Sequence, residues 1–270
     1  MTKKIDITST TLEKSVDLVR DFVDRLITPS VEELGLLAKD NISYWRFKNQ
    51  VSILLKAKEI CEKNGINPKA LSPKILCPYL ENAALEENEY LQNKWAGMLS
   101  NMVDSEKNLE NHVFPYILGQ LSLDEFQTLE AKHKEHSSKV LEAKAELTEY
   151  EKEGQLDRER LAEAEQKLGI DGAEYVNKWI ELRRIVFTGL KLEQKDFKEY
   201  ELANIVRLGL ARIEYDVYGE KQKLSIPPST YGEDVSVDFD LDVYNEESIH
   251  LTELGEIFID ICNSEGAKKV

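Results

Sequence analysis

Residues 42–65 read ISYWRFKNQVSILLKAKEICEKNG and predict the best-defined helix near the start of this chain. Its apolar side chains recur at helical spacing and form one broad stripe, which consists of Trp45, Phe47, Val51, Leu54, Leu55 and Ile60. Gly65 stands where a helix end favours a left-handed residue, and Asn67-Pro68 stops the run. We therefore expect a helix over Ile42–Lys63, with Trp45 buried on its apolar side.

The same segment is the one markedly basic stretch of an acidic chain. Between Asn41 and Ile75, seven Lys or Arg residues stand against two Glu residues, which leaves five positive charges. Such side chains can contact phosphate groups or an acidic partner. The candidate binding residues are Arg46, Lys48, Asn49 and Lys56. A solvated face that offsets the acidic remainder of the chain is the alternative.

Composition limits the possible functions. The chain has 270 residues, 41% of them hydrophobic, and a formal net charge of -16. This charge opposes long-range approach to nucleic acid or to anionic lipid, so nucleic-acid binding would need a local basic face. The three cysteines have no paired spacing, the first residues do not resemble a signal peptide, and the apolar runs are too short to span a bilayer. We expect a cytoplasmic protein with no cofactor and no membrane contact.

Further helices follow in the N-terminal part of the chain. Ser72-Pro73 can start one, and Glu86–Met102 predicts another with Trp95 facing inward. The polar stretch Asp104–Asn111 is typical of a linker, so we place a domain boundary there. Residues 1–110 are then expected to form a helical bundle.

A helical hairpin is predicted next. Ser122-Leu123-Asp124-Glu125 is a capping box, because the serine can accept from a backbone N–H and the glutamate can reach back. The helix that it opens has a heptad seam formed by Leu129, His133, His136, Val140, Ala143, Leu147 and Tyr150. Gly154 ends this arm, and Leu161–Gly169 predicts a return arm. We expect a protruding hairpin inserted at about residues 128–169.

The C-terminal part combines helices with a small β-sheet. Helices are predicted over Ala173–Leu190 and Lys195–Leu208, and Thr252 is expected to cap a last helix. Strands are predicted at Leu210–Val217, Leu224–Ile226 and Val235–Val243, the first two joined by a turn at Tyr218–Lys221. Apart from the hairpin, this is the order of a winged helix, so residues 111–270 are expected to form a winged-helix-like domain. The fold class is therefore mainly α, and the acidic Lys195–Leu208 helix favours protein contacts over DNA.

Three groups of residues resemble active or metal sites, but none has the arrangement that such a site needs. His133 and His136 supply at most two metal ligands and are more typical of a polar seam. Asp234, Asp238, Asp240 and Asp242 alternate with apolar residues and do not follow the calcium-loop pattern, so we interpret them as one face of a strand. The nuclease-like triplets at residues 165–167 and 193–195 lie in predicted helices, where their carboxylates would not converge. The sequence predicts no catalytic residue and no metal ligand.

Several pieces of the sequence resemble the abortive infection alpha family of bacteria. They are Trp45-Arg46-Phe47-Lys48-Asn49, the helix with Leu91, Trp95 and Asn101, Asn204–Leu210 with its Arg-Leu-Gly-Leu, and Leu251–Phe258 with its Leu-Thr-x-x-Gly. The residues that carry the family motifs are Trp45, Phe47, Trp95, Arg207, Gly209, Thr252 and Gly255. The resemblance implies a role in defence against phage. It brings no catalytic residues with it.

Two hypotheses of different kinds follow. The first is a non-enzymatic phage-defence protein that acts by binding a partner protein or another copy of itself. The alternative is a nucleic-acid-binding regulator that uses the basic helix at residues 42–63. An enzyme with an unfamiliar active site is a third reading, because a new site need not resemble an old one.

Overall fold

The computed structural model describes residues 19, 22–26, 44–106, 111–153, 172–219 and 243–263. It is mainly helical, with one small antiparallel sheet. The helices are α1 (Tyr44–Asn64), α2 (Pro73–Ala83), α3 (Glu89–Val103), α4 (Val113–Leu118), α5 (Leu123–Glu153), α6 (Gly172–Phe187), α7 (Glu199–Arg207) and α8 (Glu253–Ile261). The strands are β1 (Lys191–Leu192), β2 (Ala211–Gly219) and β3 (Val243–Leu251). Residues 22–26 are also helical.

The predicted end of the first helix is confirmed. Gly65 has a φ of 67°, a left-handed conformation that suits glycine. The N–H of Gly65 donates to the carbonyl of Glu62, and the N–H of Ile66 donates to the carbonyl of Cys61. These two bonds satisfy carbonyls that a helix end would otherwise leave unpaired.

Trp45 is not buried, which contradicts the prediction from its place on the apolar stripe. Its side chain is 40% exposed. The described hydrogen bonds from α1 to its neighbours begin at Asn49, which donates to the carbonyl of Ala84, and continue with Ser52, which donates to Gln92 of α3. Trp45 lies one turn before the first of them.

The long polar helix begins as predicted, and its described partner is α6. Ser122 accepts from the N–H of Glu125, and the carboxylate of Glu125 accepts from the N–H of Ser122, which confirms the capping box. Ala143 and Leu147 of the seam are buried against Leu182 of α6. Hence α6, which was predicted as part of the body, forms the second arm of the hairpin. The predicted return arm at 161–169 lies outside the described residues.

The base of α5 also belongs to the main core rather than to an added element. Leu129 is fully buried in the core that the N-terminal helices form. That core also contains residues from both sides of the predicted boundary at 104–111, such as Trp95 and Phe258. The division into residues 1–110 and 111–270 therefore stays a prediction.

The sheet has the order β1-β3-β2, and both pairings are antiparallel. Leu251 stands opposite Ala211, and Val243 stands opposite Gly219. The described partner of β2 is thus β3. The centre of β3, Asn245–Ser248, is polar, so the alternation of apolar and polar residues does not predict this strand. The strands predicted at 224–226 and at 235–242 lie outside the described residues.

The predicted helix over Lys195–Leu208 is wrong in its first turn. Gln194–Asp196 is a short 3-10 turn, and α7 begins only at Glu199. Phe197 between them is extended and buried, so the backbone breaks where its ring enters the core. Lys198 then serves as the N-cap, and its N–H donates to the carboxylate of Glu201.

Candidate functional site

The Arg-Leu-Gly-Leu piece of the sequence forms the end of α7. Gly209 has a φ of 75°. Its N–H donates to the carbonyl of Val206, and the N–H of Leu210 donates to the carbonyl of Ile205. This paired closure is the Schellman arrangement, and it explains the glycine at this position.

The Leu-Thr-x-x-Gly piece packs directly against that turn. The Thr252 hydroxyl accepts from the N–H of Gly255 and donates to the carbonyl of Gly209 at 2.6 Å. A Cβ on Gly255 would lie 2.5 Å from the carbonyl oxygen of Leu210, closer than real contacts allow. The two pieces therefore form one structural joint between α7 and α8.

Arg207 extends this joint. Its guanidinium donates to the side-chain oxygen of Asn204 at 2.7 Å. The amide of Asn204 in turn donates to the carboxylate of Glu125 and to the carbonyl of Gln120. Arg207 thus orients the side chain that fastens α7 to the turn before α5.

The four candidate binding residues of α1 do not form one exposed surface. Arg46 is exposed, with its guanidinium 5.4 Å from the centre of the Trp45 ring, and Lys48 is half-buried. Asn49 is buried, and its amide donates to the carbonyl of Ala84 at the end of α2. Lys56 points toward α3, and burial lowers the pKa of its ammonium, against the raising effect of two nearby glutamates. Arg46 and Lys48 are the two that remain available for an external partner.

A partly buried polar cluster that no sequence motif predicted joins α3, α5 and the residue after α8. The ammonium of Lys94 donates to the carboxylate of Glu130 and to the side chain of Asn263, the latter at 2.6 Å. The hydroxyl of Tyr90 donates to Glu130. Burial raises the pKa of Glu130, but the bonds from Lys94 and Tyr90 outweigh it and hold that pKa below its usual value. The members are far apart in sequence, so no local pattern marks them.

The two seam histidines face the last helix. His133 Nδ1 lies 3.8 Å from a carboxylate oxygen of Asp260. Burial lowers the pKa of His136, while the neighbouring Glu256 raises it. Within the described ranges no three His, Cys, Asp or Glu side chains are placed to hold a metal ion, and the acidic residues at 234–242 lie outside those ranges. The absence of a metal site stays a prediction.

The most exposed apolar surface among the described helices is on α6. Val176, Ile180 and Phe187 lie on one side of this helix, and the latter two are 52% and 72% exposed. Arg183 lies between them, with its guanidinium 4.7 Å from the ring centre of Trp179 and 5.3 Å from that of Phe187. Aromatic residues and arginine are the types that dominate binding energy at protein interfaces.

The long helix contributes to the same side of the hairpin. An ion pair of 3.6 Å between Glu146 and Lys178 marks the opposite side. At 100° per residue, Leu141 is turned away from Glu146 across the seam, and it is 71% exposed. We call the side that carries Val176, Ile180, Arg183, Phe187 and Leu141 the apolar face of the hairpin.

The surface around α7 is different, because its charges are paired. Lys198 contacts the carboxylates of Glu201 and Asp124, and Lys195 contacts Glu193. Lys132 on α5 contacts Asp196 at 2.7 Å. These pairs neutralise the charges of the three lysines beside α7.

The chain matches the family model described as abortive infection alpha over residues 48–262. No curated protein and no solved structure is a match for it. In the described part of the chain, no helix has the length and apolar content needed to cross a membrane. The matched range contains the joint of Gly209, Thr252 and Gly255, while Trp45 precedes it. Because the match covers most of its length, this chain belongs to the abortive infection alpha family.

Proposed function

We propose that this protein acts in abortive infection, as a non-enzymatic component that binds another protein through the apolar face of its hairpin. The observation that carries the proposal is the stripe of Val176, Ile180 and Phe187 on α6, which is exposed beside an arginine held between two aromatic rings. Contiguous exposed apolar surface with polar edges is typical of a protein interaction site.

The C-terminal elements support a winged-helix-like body behind this hairpin. β1, α7, β2 and β3 follow one another, and β3 pairs with both β1 and β2. A winged helix that reads DNA needs a basic recognition helix. Here α7 has Glu199 and Glu201 in its first turn, and the lysine before it is paired with carboxylates. This favours a body that supports protein contacts.

The proposal can be tested in cells challenged with phage. Phe187→Ser and Ile180→Ser should reduce protection, measured as the efficiency of plaque formation, without lowering the unfolding temperature of the purified protein. Leu85→Ser is the matched control, because Leu85 is also 52% exposed but follows α2. Full protection by both hairpin variants would refute the proposal.

A second candidate function rests on Trp45 and Arg46. An exposed tryptophan beside an arginine can stack on a nucleic-acid base, and Lys48 lies in the same turn. We propose nucleic-acid binding by α1 as the alternative function. A fluorescently labelled duplex and a labelled single strand, titrated at low and high salt, would show salt-sensitive binding that Arg46→Glu abolishes. If neither probe binds at low salt, this alternative is excluded.

A further inference from the structure

We infer that the apolar face of the hairpin takes an acidic amphipathic α-helix of a partner protein. This inference rests on the proposed function and specifies its partner. It follows from three features of the face: the apolar stripe along α6, the sign of the charges beside it, and the position of Arg183.

The apolar stripe lies on the side of α6 that is turned away from α5. Ala143, Leu147 and Leu182 fill the seam between the two helices. At 100° per residue, Ile180 and Phe187 lie about 140–160° around α6 from Leu182. Both are exposed, so a partner helix laid along this stripe would cover them, as helices do when they pack in bundles.

The charges of the two sides of the hairpin differ in sign. On the apolar face, the described charged side chains between Lys134 and Thr148 of α5 are Lys134 and Lys144, and α6 adds Arg183 and Arg184. On the opposite side stand Glu135, Glu142, Glu146 and Glu181, with Lys139 and Lys178. In a chain of net charge -16, an exposed face whose described charges are all positive selects an occupant with carboxylates.

Arg183 gives this selection a specific contact. Its guanidinium lies between the rings of Trp179 and Phe187, and among the described residues no carboxylate lies within ion-pair distance of it. The rings fix the planar group while leaving its donors free, which suits a two-point bond to a carboxylate. A partner glutamate flanked by leucine or isoleucine at helical spacing would meet both the arginine and the apolar side chains.

Two other occupants fit the face less well. A second copy placed face to face would bring Arg183, Lys134 and Lys144 of both copies together, and like charges at an interface are unfavourable. An anionic bilayer would have to approach a chain of net charge -16, most of whose carboxylates lie off this face. Both occupants can be distinguished from an acidic helix in one set of measurements.

The experiment uses the full chain and three fluorescein-labelled synthetic peptides of about five helical turns, about 18 residues. The first has Leu and Ile on one face and Glu on its flanks, the second replaces each Glu by Lys, and the third is a scrambled form of the first. Anisotropy titrations should show binding of the acidic peptide, and the affinities for the basic and scrambled peptides should be lower by about tenfold or more. Raising the salt concentration should lower the affinity for the acidic peptide.

Arg183→Glu provides the decisive variant. It should lower the affinity for the acidic peptide by about tenfold and raise the affinity for the basic peptide. Simple loss of structure cannot produce such an inversion. Arg46→Glu makes the same charge change on α1, at an exposed arginine that also lies against a tryptophan ring, and should leave both titrations nearly unchanged. Circular dichroism melting of each variant verifies that the fold is retained.

Several outcomes would overturn the inference while leaving the proposed function standing. They are equal affinity for all three peptides, an equal effect of Arg46→Glu, binding to vesicles with anionic headgroups in place of peptide, and self-association that Phe187→Ser abolishes while no peptide binds. Loss of phage protection in the hairpin variants together with any of these results would show that the face binds something else.

Discussion

The hydroxyl of Thr252 donates a hydrogen bond of 2.6 Å to the carbonyl of Gly209, and so connects two sequence motifs that are 43 residues apart. The backbone N–H of Thr252 adds a bond to the carbonyl of Leu210. Gly255 then approaches that same carbonyl so closely that no side chain fits. These family motifs therefore describe a structural joint, and their presence does not indicate a reaction.

Thr252→Ala should lower the free energy of unfolding by about 1–2 kcal/mol, because the N–H of Gly255 loses its cap and the Gly209 carbonyl loses its donor. Urea denaturation measures the change. Thr188→Ala, at an exposed threonine after α6, is the control and should change the unfolding free energy by about 0.5 kcal/mol or less. Equal effects of the two changes would show that the hydrogen bonds of the Thr252 hydroxyl add no measurable stability.

Gly255→Ala should destabilise the protein by about 1–3 kcal/mol, the usual effect of overpacking. Alanine normally favours a helix over glycine by up to about 1 kcal/mol, so the sign of this change is informative. The new Cβ would meet the Leu210 carbonyl at 2.5 Å and a methyl of Leu251 at 2.8 Å. Gly189→Ala is the matched control, since a Cβ there meets nothing within 4 Å. A stabilising Gly255→Ala in the same denaturation assay would contradict this packing.

The two conspicuous tryptophans should behave in opposite ways. Trp95 is 1% exposed and packs edge-on against Tyr79 at 5.2 Å, so Trp95→Ala should cost about 3–5 kcal/mol. Trp45 is 40% exposed, and Trp45→Ala should cost about 1 kcal/mol or less. Thermal and urea unfolding of both variants compares them directly. A large loss of stability in Trp45→Ala would instead indicate that Trp45 is part of the core.

His136 should make the protein less stable as the pH falls below about 6.5. Burial, then His133 and Lys139, lowers its pKa from the ordinary value of 6.5, while Glu256 opposes the shift. Because the folded state binds the proton less readily than the unfolded chain, protonation favours unfolding below that pH. The free energy of unfolding, measured at about pH 7.5 and about pH 5.5, should therefore fall less in His136→Gln than in the wild type.

The exposed His112 supplies the control for this pH dependence. His112→Gln should show the same fall as the wild type, since that side chain is not packed in the seam of the hairpin. If His136→Gln also shows the wild-type fall, then the pH dependence arises at another group.

The features that local reasoning predicted correctly are those whose hydrogen bonds close within a few residues. Gly65 ends α1, the capping box of Ser122 and Glu125 starts α5, and Thr252 caps α8. Each depends on backbone groups of the adjoining turn, so the sequence neighbourhood contains everything that is needed. The heptad seam of α5 was readable for the same reason, because its period is set by the helix itself.

The errors arose where a distant segment decides the outcome. Trp45 has the spacing of a buried residue, yet it is 40% exposed, and the described hydrogen bonds from α1 to its neighbours begin one turn later, at Asn49. β3 has the polar centre Asn245–Ser248, and it is a strand because β2 and β1 supply its hydrogen bonds. The packing of α6 on α5 was not predicted, because no local pattern connects Leu182 with its partners Ala143 and Leu147.

The sequence by itself thus determined the family, the mainly helical fold and most helix ends, because these depend on periodicity, caps and motifs that lie within short stretches. Only the tertiary structure decided that Lys94 meets Glu130 and Asn263, that Asn49 and Lys56 turn inward, and that α6 presents Ile180, Arg183 and Phe187 to solvent. The physical reason is that burial and charge pairing depend on which surfaces meet. A helix of given sequence can place the same stripe in a core or on an interface, and its neighbours select between the two.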